Sequence, residues 1–292
     1  MQPEKRTFGQ TDFRFDKNFT PLLFSDGLAA HPFLKWAGGK TQLLPALMNE
    51  IPANFNKYIE PFVGGGALFF KLNHSNSIIS DSNEELVITY NQIKIDVQSI
   101  ISVLNGYRNT ADFFYQLRSL KTDDLSKTEI AARMIFLNKT CFNGLFRVNK
   151  KGEFNVPYAN NKNIKINTDN LFKVADALKN TTILHGDYKE IIGKFAEKGD
   201  FIFLDPPYQP VGKFSDFKRY TKEFFYESDQ IELATVFRKL VDKGCHVLLT
   251  NSEHPLIFDL YKDFEIKILQ TKRLINSNAA SRSGTDIIVI GR

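Results

Sequence analysis

Cysteine is nearly absent. The 292 residues hold two, Cys141 and Cys245, 104 positions apart in unlike surroundings. So few, so placed, exclude a disulfide framework and a cysteine-based zinc site, and suit the reducing cytosol. The five histidines, His31, His74, His185, His246 and His254, lack metal-ligand spacing. No apolar run approaches the ~18 residues of a membrane span. Met1-Gln2-Pro3-Glu4-Lys5-Arg6 leads into polar residues, not an apolar signal stretch. Repeats and low-complexity tracts are missing too. A cytoplasmic chain with no membrane contact and no metal is the expectation.

What is present is an ordinary globular composition, 42% hydrophobic and 24% charged. The length suits one large domain or two modest ones with a sizeable core. Net charge is +5, unevenly spread. Between 133 and 173 stand eight basic residues (Arg133, Lys139, Arg147, Lys150, Lys151, Lys162, Lys165, Lys173) and two acids, Glu153 and Asp169. A second basic patch is Lys213, Lys218, Arg219 and Lys222 against Asp216. Either a solvated face or a phosphate-backbone footprint fits this pattern, and composition leaves both open.

Residues 1–30 read as an extension, polar with scattered aromatics. Tyr58–Val63, Gly64-Gly65-Gly66 and Ala67–Phe70 then read as strand, tight turn and helix. Ser77–Ser80 is a second strand closed by Asp81, followed by a helix over Glu84–Ile95. Helical pattern fills 96–120 and 127–139. Leu145–Val148 and Glu153–Val156 around a polar turn read as a β-hairpin. Further strands are predicted at Thr181–Leu184, Phe201–Leu204 and Cys245–Thr250, with a helix over 229–243. Two runs without an intervening helix, Phe264–Leu269 and Ile287–Ile290, read as an antiparallel edge hairpin. This alternation predicts an α/β fold with a mainly parallel sheet covered on both faces. The 99 residues between Asp81 and Thr181 exceed a single crossover. They predict an inserted smaller domain over 96–180, helical with a β-hairpin, between catalytic segments 31–95 and 181–292.

The glycine turn opens a helix where backbone amides approach a ligand closely. Asp81, at the next strand end, is placed like the acid that accepts ribose hydroxyls in doubly wound nucleotide sites. A dinucleotide fingerprint would need glycine where Phe69 stands. A P-loop would need it at Leu34. A nucleoside-bearing ligand without a long phosphate chain remains, beside the alternative of a purely structural turn. Asp205-Pro206-Pro207-Tyr208 follows an apolar strand, at the sheet edge where ligands bind. The prolines remove two amide donors. A carboxylate and a rigid carbonyl can accept both hydrogens of an exocyclic amine, and Tyr208 offers a stacking face. The alternative is a proline-rich turn with a capping Asp.

Five stretches occur in a telling order: Phe33-Leu34-Lys35-Trp36-Ala37-Gly38-Gly39-Lys40, Glu60–Gly66, Asn143–Asn149, Phe154–Tyr158 and the Asp-Pro-Pro-Tyr box. In these the sequence resembles the Dam-type, α-order DNA adenine-N6 methyltransferases, a family that includes restriction-modification partners. The resemblance covers roughly 33–290. It implies a Rossmann-like methyltransferase sheet, S-adenosyl-L-methionine as cofactor, double-stranded DNA as substrate and a cognate restriction endonuclease as a functional partner. It also implies residue roles. Trp36, Lys40, Phe62, Gly64, Gly66, Asp81 and Asp187 bind the cofactor: Trp36 lies against it, Lys40 near its methionine carboxylate, Asp81 on the ribose and Asp187 on the adenine amine. Asp205, Pro206 and Tyr208 hold the target adenine. Phe142 wedges between bases, and Leu145, Arg147 and Pro157 read base edges, with Asn143 and Lys35 as further DNA contacts. Family members often continue Val-Pro-Tyr with Gly-Arg-Tyr-Lys; here Ala159-Asn160-Asn161-Lys162 follows. The implied site is GATC.

Chemistry agrees with these roles. A paired adenine must leave the stack to meet a methyl donor, at a cost of a few kcal/mol. Cys141 beside the wedge is preceded by Thr140, not by the proline that marks a cytosine-C5 nucleophile, and reads as a packing residue. Two other readings remain: methylation of an amine in structured RNA, and a DNA-binding protein that keeps an inactive methylase fold.

Overall fold

The computed structural model describes residues 29–149, 151–161, 163–210, 225–272 and 283–292. Most of the expected N-terminal extension, the patch at Lys213–Lys222, Lys150 and Lys162 lie outside the described residues.

Among the described residues seven strands form one sheet: β1 (Tyr58–Glu60), β2 (Ser77–Asp81), β3 (Thr182–His185), β4 (Phe201–Leu204), β5 (His246–Ser252), β6 (Glu265–Lys272) and β7 (Ser283–Gly291). Their order is β3-β2-β1-β4-β5-β7-β6. The first five run parallel, and β7 lies antiparallel between β5 and β6. The expected edge hairpin is therefore present. Strand order reverses between β1 and β4, the switch point where open α/β sheets bind ligands.

Strand alternation divides the core between two faces. Phe201 and Phe203 point into one apolar cluster, Ile202 and Leu204 into the other. Helices α1 (Leu44–Met48), α2 (Ala67–Leu72), α3 (Glu84–Asn105), α4 (Ala111–Ser119), α5 (Lys127–Thr140) and α6 (Thr168–Leu178) contribute to the first. Helices α7 (Tyr188–Phe195), α8 (Glu227–Asp242) and α9 (Pro255–Leu260) cover the second. Among the described residues no helix is long and apolar enough to cross a membrane.

Three elements differ from expectation. β1 stops at Glu60 rather than Val63, because Pro61 has no amide to donate to the ladder. The helix predicted to end at Ile95 runs on to Asn105, leaving helical geometry at Asp96 (φ −153°, ψ 75°). Beyond that break Ile100, Ile101 and Leu104 join the core of the sheet's first face. The expected hairpin at 145–156 has no ladder. It holds one isolated bridge, Val148–Phe154, and two bonds, Asn155 N to Arg147 O and Asn149 N to Glu153 O, while Cys141–Tyr158 bridges just outside it. Left-handed backbone at Asn143 (φ 57°) and Gly144 (φ 65°) turns the chain just before it.

Arg133 on α5 joins α3 to α4. It is 3% exposed, meets Glu85 at 3.0 Å and donates to the carbonyls of Leu117 and Arg118. Removing one partner of a buried pair strands the other. Arg133→Met should lower unfolding free energy by about 3–5 kcal/mol. The double variant Arg133→Met/Glu85→Leu should recover part of that loss, as read by urea titration of all three proteins.

Candidate active site

The parallel strands end at one edge, and their tips line one cleft of about 2070 Å³. Thirteen of the sixteen residues singled out from the sequence line it: Lys35, Trp36, Lys40, Phe62, Gly64, Gly66, Asp81, Asn143, Leu145, Asp187, Asp205, Pro206 and Tyr208. Phe142, Arg147 and Pro157 lie outside that lining.

Asp205 follows β4 at the switch point. Its Oδ1 lies 2.7 Å from Lys40 Nζ and accepts from Thr250 Oγ1 at 2.6 Å. Lys40, expected beside a methionine carboxylate, thus pairs here with Asp205; it also donates to Gly38 O and sits 4.6 Å over the Tyr208 ring. Burial pushes the Asp205 carboxyl above the usual range, while Lys40 and Thr250 pull it back. Glu60, 2% exposed at the tip of β1, is pushed up to about 8 by burial. The Tyr58 hydroxyl bonds it at 2.8 Å and opposes that shift, and Asp205 adds to it. Lys40 therefore opposes the effect of burial on Asp205, and Glu60 keeps its proton at neutral pH.

A buried polar network holds the box from behind. Gln230 donates to Pro207 O at 2.9 Å and accepts from Asn251 Nδ2 at 3.0 Å. Asn251 Oδ1 accepts from Gln209 N at 3.0 Å, and Ser252 Oγ donates to Gln209 O at 2.5 Å. Gln230, Thr250 and Asn251 are each fully buried. With two prolines in the box, these bonds leave its backbone little freedom.

The glycine turn is fixed just as closely. Asp81 Oδ2 accepts from Gly64 N at 3.0 Å and its Oδ1 from Asn83 N at 2.9 Å. Burial raises this carboxyl to about 6, against those two bonds. A carboxylate offers about four lone-pair positions, so capacity for ligand hydroxyls remains. Trp36 lies on Gly64, where a Cβ would stand 2.6 Å from the indole, and it stacks on Phe146 at 5.0 Å. Gly64 also has φ 46°, so both space and backbone demand glycine. Phe62 packs on Tyr188 at 5.0 Å. Asp187 is exposed and caps α7 through Lys189 N. Glycine backbone, two carboxylates and aromatic walls in one cleft fit a nucleoside-bearing cofactor. Among the described residues no group of three His, Cys, Asp or Glu could hold a metal ion.

Outside that lining, Phe142 is 53% exposed and donates its N–H to Pro157 O at 2.8 Å, so the two are neighbours. Arg147 is exposed and is held by Asn155, through Nε to Oδ1 at 2.9 Å. Leu145 is 8% exposed and belongs to the core, so in the chain alone it faces inward. Lys35 is exposed, and its backbone is bound by Asn138. Burial pushes the Cys141 thiol up to about 12, which leaves it inert, as a packing residue would be.

Sequence reasoning missed Glu60, Thr250, Asn251 and Gln230 as supports. The signal was available for two of them: Thr250-Asn251-Ser252 is a polar run at the end of an apolar strand, as Asp205 is. Gln230 carries no such mark.

Comparison with known proteins agrees with this geometry. The family model for D12 class N6 adenine-specific DNA methyltransferases matches residues 36–275. The chain is 44% identical over 274 residues to the type II methyltransferase M.MjaIII of Methanocaldococcus jannaschii, covering 86% of this chain and 94% of that one. It is 40% identical over 278 residues to the type II methyltransferase M1.LlaDCHI of Lactococcus lactis subsp. cremoris, covering 92% and 98%. It is 30% identical over 258 residues to the DNA adenine methylase of Escherichia coli K12, covering 87% and 92%.

Lys40→Met would leave Asp205 buried without its cation and raise its proton affinity further. A carboxyl that binds its proton more tightly folded than unfolded favours the fold while protonated. That gain is lost as pH rises from the unfolded value through the folded one. The stability deficit of Lys40→Met should therefore be small at pH 5 and grow to about 3 kcal/mol at pH 8. Urea titrations at both pH values check this; an equal deficit at both would remove the pair from the account.

Proposed function

Because the chain belongs to the D12 class N6 adenine-specific DNA methyltransferase family, and so methylates adenine N6 in DNA, we propose that it acts on a short duplex site, GATC, whose adenine turns out of the stack into the cleft. S-Adenosyl-L-methionine, when bound, supplies the methyl group as an electrophilic sulfonium methyl.

The observation that carries the reading is the position of Asp205 and Pro206 at the sheet's switch point, in the same cleft as the Gly64–Gly66 turn. In this reading the Asp205 carboxylate and the Pro206 carbonyl accept the two hydrogens of the adenine amine, and Tyr208 stacks on the ring. Their bonds draw electron density onto N6 and orient it for in-line attack. The proton that N6 sheds on gaining its methyl group passes to Asp205, whose proton affinity burial raises. Gly64, Gly66, Phe62, Trp36, Asp81 and Asp187 line the part of the cleft that would hold the cofactor.

Residues 96–180 serve as the target-recognition insertion in this proposal, between catalytic segments 31–95 and 181–292. Phe142 fills the gap left by the departed base. Arg147, steadied by Asn155, has the fork geometry for a bidentate contact to guanine in the major groove. Lys35, Asn143, Leu145 and Pro157 complete the DNA face. The names of the two type II relatives support a cognate restriction endonuclease as functional partner.

Incubation with methyl-labelled cofactor and duplex DNA, followed by nucleoside analysis, should place label in N6-methyladenine. Label in cytosine, or preferential labelling of RNA, refutes the reading. Asp205→Ala should abolish turnover while specific DNA binding stays within about threefold, since truncation removes a contact to the flipped base and none to phosphate. Arg147→Ala should relax one base position by ~1–3 kcal/mol. Methylation kinetics on a panel of single-substituted duplexes reads this, and a uniform loss on all of them would instead make Arg147 a phosphate contact.

A further inference from the structure

Asn138, on α5, is fully buried and belongs to neither group of functional residues. Its side chain ties three backbone groups. Oδ1 accepts from Lys35 N at 2.9 Å, and Nδ2 donates to Lys35 O at 2.8 Å and to Gly144 O at 3.1 Å. Lys35 stands next to Trp36, which lies on the Gly64 turn. Gly144 lies between Asn143 and Leu145, two residues past Phe142. One amide therefore bolts the loop that enters the cofactor half of the cleft to the turn that carries the wedge.

Two more contacts run alongside this bond. Trp36 stacks on Phe146 at 5.0 Å with an interplanar angle of 17°. Gly144 packs so closely on Lys35 that an added Cβ would stand 2.9 Å from Lys35 Cβ, at a φ of +65°. The path from the recognition turn to Asp81 is then continuous: Gly144, Asn138, Lys35, Trp36, Gly64, Asp81. Every link is a hydrogen bond, a covalent neighbour or a packed contact. A primary amide suits this place because it donates and accepts at once; no apolar residue of the same volume could satisfy all three backbone groups.

We propose that Asn138 is a positioning residue that makes the cofactor loop and the DNA-recognition turn move as one body, so that binding at either site strengthens binding at the other. This rests on the assignment of the two walls made above. Coupling of this kind is reciprocal, and typically amounts to 5–150-fold in affinity. A residue that merely stabilised the fold would change melting temperature and leave the coupling ratio alone.

The test uses the full chain, S-adenosylhomocysteine as the cofactor probe and a duplex with one GATC site. Calorimetry gives the dissociation constant of S-adenosylhomocysteine with and without saturating duplex. The unaltered chain should show at least ~5-fold tightening by duplex. Asn138→Asp keeps the acceptor for Lys35 N and loses the two donors at neutral pH. It should bind S-adenosylhomocysteine alone within about threefold of the unaltered chain and show less than ~2-fold tightening. If Asn138→Asp does not fold, Gly144→Ala strains the same contact from the other side with Asn138 in place, and the same loss of coupling is expected. Coupling kept at full size in a folded variant overturns the proposal, as does an unaltered chain with no coupling. A chain that binds neither S-adenosylhomocysteine nor any duplex would overturn the functional reading itself, which is a separate result.

Discussion

The ion pair between Lys40 and Asp205 sets the character of the cleft. Lys40 is 6% exposed, and the Asp205 side chain is 18% exposed. Little water screens the pair, and each charge would be costly there alone. Three carboxyls gather at the strand tips: Glu60, Asp81 and Asp205. Burial raises the proton affinity of all three. Lys40 meets Asp205 and opposes that rise, with Thr250 fixing the same oxygen. In the proposed reaction the other Asp205 oxygen accepts from the base amine. A carboxylate held ready in this way needs no rearrangement when an amine arrives.

The same design recurs in the supports. The Asp-Pro-Pro-Tyr box, the glycine turn and the Phe142–Gly144 turn all lie outside the strands and α-helices, yet each is tied by buried side-chain amides or carboxylates. Gln230 and Asn251 hold the box, Asp81 holds the turn after β1, and Asn138 holds Lys35 against Gly144. Loops that carry chemistry are often mobile; here polar groups inside the core give them the rigidity of a strand.

Much of this was legible in the sequence because it follows local rules. Apolar runs ended by a polar residue marked β2, β4 and β5 to within a residue or two. The Asp-Pro-Pro-Tyr box and glycine turn marked the edge at which they end. What stayed hidden depends on groups distant in the chain. Asn138 reads as one polar position in a helix, and only the fold brings Lys35, 103 positions away, to its side chain. Lys40 is 165 positions from Asp205, so spacing gave no hint that the two would pair. The 145–156 segment has the composition of a hairpin, and it pairs through the single bridge Val148–Phe154 rather than a ladder.

In the proposed reaction a displaced adenine and the methyl donor share this one cleft, with Asp205 gripping the amine. A crystal structure of the chain with S-adenosylhomocysteine and a duplex bearing one GATC site tests it most directly. The target adenine is expected outside the helix, its N6 within ~2.7–3.2 Å of both the Asp205 carboxylate and the Pro206 carbonyl oxygen. An adenine still stacked and paired in the bound duplex, or an extrahelical base held away from Asp205, would contradict it.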